Sequence, residues 1–296
     1  MSTRIALTVG VPAFNGQRFL SDVLRSIANQ TYRDFVVRIS DNGSTDATRE
    51  ICEEFARRDP RFQYTRHDVN RGAVWNFNEL ARTADTPLFA WHAIDDVASP
   101  NYFETCVAAL ESRPDAVVAY TRSGLLDETG SQSRTNQPRL PLDSPNIVTR
   151  FTACLSPMPY AENALYGVIR TDALRRTRLF GTFGGSDRAF LAELSLYGPF
   201  VRIDRELYVR RQYPATKSAT AVNEYNTGRR SRVALREWRT LAWNCGSVWR
   251  APSNIGPHFS LYAAMLRRLS REWRLYAAEL AIGCRSFISS LRTQPL

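Results

Sequence analysis

The chain has 296 residues, of which 44% are hydrophobic, so it can bury a large core and is not globally disordered. Its formal net charge is +10, and the charge is uneven, because 12 arginines and only 3 glutamates lie from Gly228 onward. A basic patch confined to the C-terminal quarter predicts an acidic surface or partner for that quarter alone.

The cysteines and the apolar runs indicate the cellular compartment of the protein. Five cysteines are scattered along the sequence without a CxxC pair, which favours neither a disulfide framework nor a zinc site. The first apolar run ends at Pro12, so we do not expect a signal peptide. No apolar run approaches the ~18 residues of a membrane span. These features predict a cytoplasmic protein in a reducing environment.

The first part of the chain alternates strand and helix patterns. Strands are predicted at RIALTVGV, FVVRIS, FQYTRH, PLFAWHA and AVVAYTR. Helices are predicted between them at FLSDVLRSIANQ, STDATREICEEFARR, AVWNFNELARTA and NYFETCVAALES. This alternation predicts an α/β fold with a mostly parallel sheet, which binds ligands beyond the carboxyl ends of its strands.

The pattern is weaker in the rest of the chain. Residues 127–150 are polar and rich in proline, which predicts a long loop. A strand near YGVIR, a helix over SDRAFLAELSLYG and strands at FVRID and ELYVRR follow. The composition changes after Lys217. We therefore expect one domain over residues 1–217, with halves of about 1–122 and 123–217, and a basic helical region over 218–296.

Polar side chains follow several predicted strands, where we expect them to converge on one crevice. In SDNGSTD, Gly43 permits a tight turn and Asp46 can cap the next helix, which leaves Asp41 and Asn42 free. Their oxygens suit a ribose hydroxyl or a base N–H. The alternative is an ordinary capped turn. The full set of residues is Asn15, Asp41, Asn42, Asp95 and Asp96.

Asp95 and Asp96 form an adjacent pair at a strand end. Such carboxylates repel each other unless a cation or donors lie nearby, and hard oxygen ligands suit Mg²⁺ or Mn²⁺. The alternative is local, with Asp96 or Ser99 capping the following helix.

Asp187, at a predicted helix start after glycines, is a helix cap or a general base. His92 alternates with apolar neighbours, so we expect a hydrogen-bonded core residue.

Three segments in this order resemble the family 2 glycosyltransferases of the GT-A fold. They are TVGVPAFNGQRFL, QTYRDFVVRISDNGSTDAT and NRGAVWNFNELARTADTPLFAWHAIDDVASP. The resemblance runs from Ile5 to about Ser218. It implies a Rossmann-like GT-A sheet and an enzyme that transfers a sugar from a nucleoside diphosphate to an acceptor hydroxyl.

The resemblance also implies roles for individual residues. Asp95 falls on the second aspartate of the family's DxD metal motif, and Asp96 follows it. Asp187 matches the catalytic base of inverting members. The residues that the resemblance places around the donor are Pro12, Ala13, Phe14, Asn15, Asp41, Asn42 and Asn78.

This sequence departs from the family pattern at three positions. Ala93 replaces the first aspartate of DxD, and Tyr213 stands where many members have a metal-binding histidine. Asn42 replaces a second aspartate, and its amide can still accept from a base N–H but carries no charge. A neutral phenol is a poor ligand for a hard cation.

The resemblance therefore implies a weakly held Mg²⁺ or Mn²⁺ on Asp95, Asp96 and water. Arg210 and Arg211 can supply part of the charge that neutralises the departing diphosphate. The expected function is sugar transfer in bacterial surface polysaccharide or glycoconjugate synthesis, with a glycan, lipid-linked or small-molecule acceptor. The alternative is a catalytically weak scaffold of the same fold.

The basic C-terminal region carries apolar residues at helical spacing with arginines between them. One interpretation is a helix pair on an anionic membrane surface, at the inner face of the membrane. The other, which we favour, is an amphipathic cover for the catalytic core or a homodimer partner. No nucleic-acid-binding module accompanies the charge, so nucleic acid is not an expected partner.

Overall fold

The structure is a computed structural model that describes residues 6–127, 132–133, 138–155, 161–211, 235–252 and 258–281. Its first half has the predicted alternation of strands and helices. The elements are β1 (Leu7–Ala13), α1 (Leu20–Ala28), β2 (Phe35–Asp41), α2 (Thr48–Arg58), β3 (Phe62–Arg66), α3 (Ala73–Thr83), β4 (Leu88–Trp91), β5 (Val97–Ala98), α4 (Tyr102–Ser112) and β6 (Val118–Leu126). Each predicted strand and helix of this half is present.

The second half is more irregular. Its elements are β7 (Gln132–Ser133), α5 (Ile147–Leu155), a short 3₁₀ helix (Ala161–Tyr166), β8 (Val168–Arg170), α6 (Thr171–Arg175), α7 (Ser186–Ser195), β9 (Phe200–Arg211), α8 (Arg236–Arg250) and α9 (His258–Arg271). Residues 273–281 are also helical. Among the described residues, no helix is both long and apolar enough to cross a bilayer.

One mixed sheet forms the centre of the molecule. Its strand order is β3-β2-β1-β4-β8-β6-β9-β5, and β7 pairs with β6. β1 runs parallel to β2 and β4, β2 runs parallel to β3, and β6 runs parallel to β9. Because successive side chains of a strand point to opposite faces, β4 supplies Phe89 and Trp91 to one apolar cluster and Leu88 and Ala90 to another. Both faces of the sheet are therefore buried.

Two predictions of secondary structure were wrong in detail. Helix α5 begins inside the predicted loop 127–150, because Phe151 and Cys154 pack into the core behind it. The two predicted strands at FVRID and ELYVRR are one strand, β9. Its pairing with β6 shifts register around Arg122, and the polar residues that interrupt its apolar pattern lie at this irregularity.

The basic C-terminal helices pack against the rest of the chain. Val248 of α8 and Leu261 and Met265 of α9 belong to the same apolar cluster as Phe190 of α7. One face of each helix therefore covers the core, as the favoured interpretation of the sequence expected.

Charged side chains tie these helices to α7. Glu237 of α8 accepts hydrogen bonds from Arg188 of α7 at 3.0 Å and from Arg268 of α9 at 3.1 Å. The backbone N–H of Glu237 donates to Glu279 Oε2 at 2.9 Å. Because Arg188 follows Asp187 directly, the C-terminal helices support the segment that carries the predicted base.

Candidate active site

The ends of β1 and β2 lie side by side at the carboxyl edge of the sheet, with Ala13 opposite Asp41. Pro12 and Ala13 are the buried last residues of β1, Phe14 is partly buried and Asn15 is exposed. Asn15 has a left-handed backbone with φ 49°. The strand end therefore turns sharply at Asn15.

Side chains tie this turn to the β2–α2 loop. Asn15 Oδ1 accepts a hydrogen bond from Thr45 N at 2.9 Å, and Asn15 N donates to Ser44 Oγ at 3.0 Å. Asp46 Oδ1 accepts from Thr48 N at 3.0 Å, in the first turn of α2. Asp46 thus supports the helix start, but the N-cap position is Ala47, one residue after the predicted cap.

Asp41 is fully buried, and both of its carboxylate oxygens are engaged. Oδ1 accepts from Ser44 N at 2.9 Å, and Oδ2 accepts from the Tyr64 hydroxyl at 2.8 Å. Burial, followed by this hydrogen bond, raises the pKa of Tyr64 well above its usual value. The sequence suggested a free carboxylate here, but the structure shows one that organises the turn.

Asn42 is engaged in the same way. Its Nδ2 donates to Asn70 Oδ1 at 2.9 Å and to Gly72 O at 3.1 Å, and its Oδ1 accepts from Arg71 N at 3.0 Å. The amide therefore joins the end of β2 to the loop that starts α3. A role for Asp41 and Asn42 in nucleoside binding stays a prediction.

Asn76 of α3 is a polar residue that the sequence analysis missed. It is buried, and its Nδ2 donates to Ser40 O at 2.8 Å. Its Oδ1 is buried without a hydrogen-bond partner among the described residues. The sequence signal that could have revealed Asn76 was its place two residues before Asn78, on a helix that otherwise packs against apolar neighbours.

Asp95 and Asp96 reach the same edge of the sheet just beyond β4. Asp96 is buried and its Oδ1 accepts from Arg211 N at 3.0 Å, whereas Asp95 is partly exposed. Burial, and then the neighbouring Asp95 carboxylate, raises the pKa of Asp96 to about 7. A divalent cation would relieve this repulsion, so the carboxylate pair fits Mg²⁺ or Mn²⁺.

The protein supplies few other ligands for such a cation. Among the described residues, no cluster of three or more histidine, cysteine, aspartate or glutamate side chains could hold a metal. Ala93 brings no carboxylate, and position 213 lies outside the described residues. His92 is buried, its Nδ1 lies 2.9 Å from Ala93 O, and burial lowers its pKa to about 4. It is a core residue, as predicted.

Two arginines adjoin the aspartates at the end of β9. Antiparallel pairing of β5 with β9 places Val97 opposite Val209, which brings Arg210 and Arg211 beside Asp96. Arg210 acts against burial by lowering the pKa of Asp96. The Arg211 guanidinium lies 4.1 Å from the centre of the Phe19 ring. Positive charge therefore lies beside the two aspartates.

Asp187 lies in the first turn of α7, in the wall of a pocket of about 390 Å³. Gly185, with φ +84°, permits the left-handed turn that starts the helix. The Asp187 carboxylate forms no hydrogen bond with any described residue, so it is not a helix cap here. The remaining lining is mostly apolar and aromatic: Ala73, Val74, Phe77, Leu165, Tyr166, Phe180, Phe183, Gly184, Gly185, Ser186 and Arg236.

Asn78 fixes the segment that leads to Asp187. Its Nδ2 donates to Phe180 O at 2.9 Å, and its Oδ1 accepts from Phe180 N at 2.9 Å. Phe180 in turn packs against Trp91 of β4. The structure therefore shows Asn78 as a clamp between α3 and the loop before α7, and its predicted part in the donor pocket stays a prediction.

Stacked aromatic rings connect the pocket with the acidic pair. Tyr166 lines the pocket, and its ring stacks on Tyr208 with centroids 5.6 Å apart. Burial, and then the nearby Asp96 carboxylate, raises the pKa of Tyr208. The Asp187 pocket and the Asp95–Asp96 pair are therefore neighbours across two tyrosine rings.

The sequence model described as Glycosyl transferase family 2 matches residues 8–170, more than half of the chain. The chain belongs to this family. The expected enzyme class, a glycosyltransferase, is confirmed.

Curated relatives are also named as glycosyltransferases. The chain is 24% identical to EpsE of Bacillus subtilis, a protein with a provisional glycosyltransferase name, over 81% of this chain and 87% of that one. It is 30% identical to an uncharacterised glycosyltransferase of Haemophilus influenzae over 36% of this chain. That match spans about a third (32%) of the Haemophilus protein's length.

Two solved structures share the fold. S. aureus TarS in complex with UDP-GlcNAc superposes with a TM-score of 0.64 at 16% identity, over 90% of this chain and 73% of that one. The mannosyltransferase PcManGT of Pyrobaculum calidifontis, with GDP-Man and Mn²⁺, gives 0.54 at 15% identity, over 97% and 81%. The expected GT-A type α/β fold is confirmed.

Proposed function

We propose that this glycosyltransferase moves a sugar from a nucleoside diphosphate donor to an acceptor hydroxyl with inversion at the anomeric carbon. The donor class is supported by the TarS and PcManGT complexes, which hold UDP-GlcNAc and GDP-Man. We further propose a role in bacterial surface polysaccharide or glycoconjugate synthesis. The enzyme would work in the cytoplasm, with its basic helices meeting an acidic partner.

The observation that carries the proposal is the environment of Asp187. Its carboxylate is partly exposed in the wall of an aromatic pocket and forms no hydrogen bond with the described residues. A general base needs a lone pair that no internal donor occupies. The aromatic wall offers apolar faces against which the ring of a sugar acceptor can lie.

In the proposed reaction, Asp187 accepts the proton of the acceptor hydroxyl. The hydroxyl oxygen forms a bond to the anomeric carbon as the bond to the diphosphate oxygen breaks on the opposite side. The configuration at that carbon therefore inverts. The departing diphosphate carries the negative charge that develops, and Arg210 and Arg211 lie where they can offset part of it.

A divalent cation fits the site on chemical grounds, because Asp95 and Asp96 are adjacent and the pKa of Asp96 is raised to about 7. We propose that Asp95 and Asp96 hold Mg²⁺ or Mn²⁺ together with water and the donor phosphates. When bound, the cation would offset charge on the diphosphate. With Ala93 in place of a third carboxylate, we expect weak binding without the donor.

The test of the base is the Asp187→Asn variant. Loss of a positioned base typically lowers the rate by ~10²–10⁴-fold, while donor binding should stay close to wild type. Turnover is measured with a panel of UDP-, GDP- and dTDP-sugars, and proton NMR of the product gives the anomeric configuration. A product that retains the donor's configuration would contradict inversion.

The matched control is Asp172→Asn, which makes the same chemical change at an exposed position in α6. We expect it to keep wild-type turnover and donor affinity. If Asp187→Asn also keeps wild-type turnover, Asp187 is not the base. If no nucleoside diphosphate sugar binds to the wild type, the donor class is wrong.

A further inference from the structure

The last described helical stretches carry an exposed apolar stripe. Phe259, Leu266, Trp273 and Leu280 are spaced by seven residues, and their side chains are 84%, 65%, 58% and 44% exposed. A step of seven returns a helical residue to nearly the same face, so Phe259 and Leu266 share a face of α9, and Trp273 and Leu280 share a face of the helical residues 273–281, which follow a bend at Glu272. The positions four residues after the first three are the small residues Ala263, Ser270 and Ala277, and the positions three residues after them are Tyr262, Leu269 and Tyr276, which are partly or fully buried.

The stripe belongs to helices that are already fixed on the protein. The opposite face of α9 is buried through Leu261, Met265 and Arg268. The helical residues 273–281 are held by Tyr276, whose carbonyl accepts from Trp238 Nε1 at 3.0 Å. Because Leu261, Met265 and Arg268 already face the core, the side of α9 that carries Phe259 and Leu266 is an outer surface, and Trp273 and Leu280 are exposed neighbours of the buried Tyr276.

The exposed charges beside the stripe all have one sign. Arg267, Arg271 and Arg274 are exposed, and helical spacing puts them along one flank of the stripe. The two glutamates of residues 258–281 are engaged elsewhere. Glu272 Oε2 accepts from Arg268 Nε at 2.8 Å, and Glu279 Oε2 accepts from the backbone N–H of Glu237 in the first turn of α8. Within this stretch the outer face is apolar and cationic.

We propose that this stripe docks the enzyme on an anionic lipid surface, with the apolar side chains at the acyl boundary and the arginines at the headgroups. Apolar rings flanked by arginines complement a negatively charged bilayer surface. A second copy of this chain complements it less well, because paired stripes would bring like-charged arginines together. The proposal names the acidic partner of the basic helices and is independent of the transfer chemistry.

Co-sedimentation with vesicles tests the charge requirement. The full chain should bind vesicles of equimolar phosphatidylglycerol and phosphatidylcholine far more tightly than pure phosphatidylcholine. The triple variant Arg267→Gln, Arg271→Gln, Arg274→Gln should lower the partition coefficient roughly 100-fold. The control, Arg57→Gln, Arg82→Gln, Arg205→Gln, removes three exposed arginines outside these helices and should bind almost as wild type.

The apolar contribution is tested with Phe259→Ser, Leu266→Ser and Trp273→Ser in one chain. It should lose at least about tenfold in partition. Because the three side chains are exposed, its unfolding midpoint should be unchanged. The proposal is overturned if wild type does not bind anionic vesicles, if the variants bind equally well, or if sedimentation velocity shows a wild-type dimer that the apolar variant dissociates. These outcomes are separate from those of Asp187→Asn.

Discussion

Asp96 is a buried carboxylate whose partners compensate its charge only in part. Its Oδ1 accepts one backbone hydrogen bond from Arg211, and burial together with Asp95 raises its pKa to about 7. In the unfolded chain an aspartate titrates near pH ~4. Between these two values the folded protein binds the proton more tightly than the unfolded chain does. The stabilising effect of protonation is therefore present at low pH and is lost as the pH rises through about 7.

This linkage predicts the behaviour of Asp96→Asn in metal-free protein. The amide is neutral at every pH and its oxygen can still accept from Arg211 N. We expect it to raise the free energy of unfolding at pH ~8 by about 1–3 kcal/mol and to have little effect at pH ~5. Urea unfolding at both pH values measures this. The prediction would be contradicted if the difference in free energy of unfolding between Asp96→Asn and wild type were the same at both pH values.

Single residues were predictable from the sequence to different degrees. The sequence indicated that Asp95 and Asp96 follow a strand and that Asp187 starts a helix, and the structure has them at these places, while their functional roles stay predictions. The hydrogen bonds of Asp41 and Asn42 were not predictable, since their partners Tyr64 and Gly72 come from later elements. Residue type alone does not reveal whether an oxygen already has a donor.

Asn78 shows how one element positions another. Both hydrogen-bonding ends of its amide are engaged by the backbone of Phe180, at 2.9 Å each. This contact connects α3 with the loop that leads into α7 and Asp187. Helix α3 therefore sets the path of the segment that carries the proposed base.

Removing this clamp should affect both stability and catalysis. Asn78→Ala leaves the buried N–H and C=O of Phe180 without these partners, which costs about 2–4 kcal/mol. Because the Asp187 loop loses its attachment, we expect turnover to fall more than donor affinity does. Asn29→Ala, at an exposed position after α1, is the matched control and should leave both unchanged. Equal denaturation midpoints for the two variants would contradict the clamp.

The elements themselves were the most predictable level. In amphipathic runs such as FLSDVLRSIANQ, the apolar residues recur with the period of a helix alone, and the structure has a helix there, at Leu20–Ala28. Helix α5 was missed because proline and polar residues precede it, so its first residues, from Ile147 onward, were assigned to the loop 127–150. The bulge near Arg122 depends on pairing between β6 and β9, which one sequence does not specify.

At the scale of the whole molecule, the basic C-terminal region is bound to the core through Glu237. Its carboxylate lies between Arg188 of α7 and Arg268 of α9, at 3.0 and 3.1 Å. All three side chains are largely buried. The net charge of the region had suggested an acidic partner, and one of its few glutamates is the centre of a buried ion-pair network within the protein.

Glu237→Ala should therefore destabilise the entire fold. It leaves Arg188 buried without its carboxylate, and breaking a buried pair costs about 3–5 kcal/mol. Glu53→Ala breaks the exposed Arg49–Glu53 pair of α2, which should cost less than about 1 kcal/mol. Guanidinium unfolding measures both. If the two variants lose the same stability, the network is not structurally important.

The contact between Glu237 and Glu279 also sets an order of events during synthesis. The two residues are separated by 42 positions, so at ~5–20 residues per second Glu279 leaves the ribosome roughly 2–8 s after Glu237. During that interval the first turn of α8 lacks its carboxylate partner, and Arg268 also arrives late. A nascent chain can complete its sheet while the support of the Asp187 segment is still missing. Catalytic competence should therefore appear only when the last helices have been made.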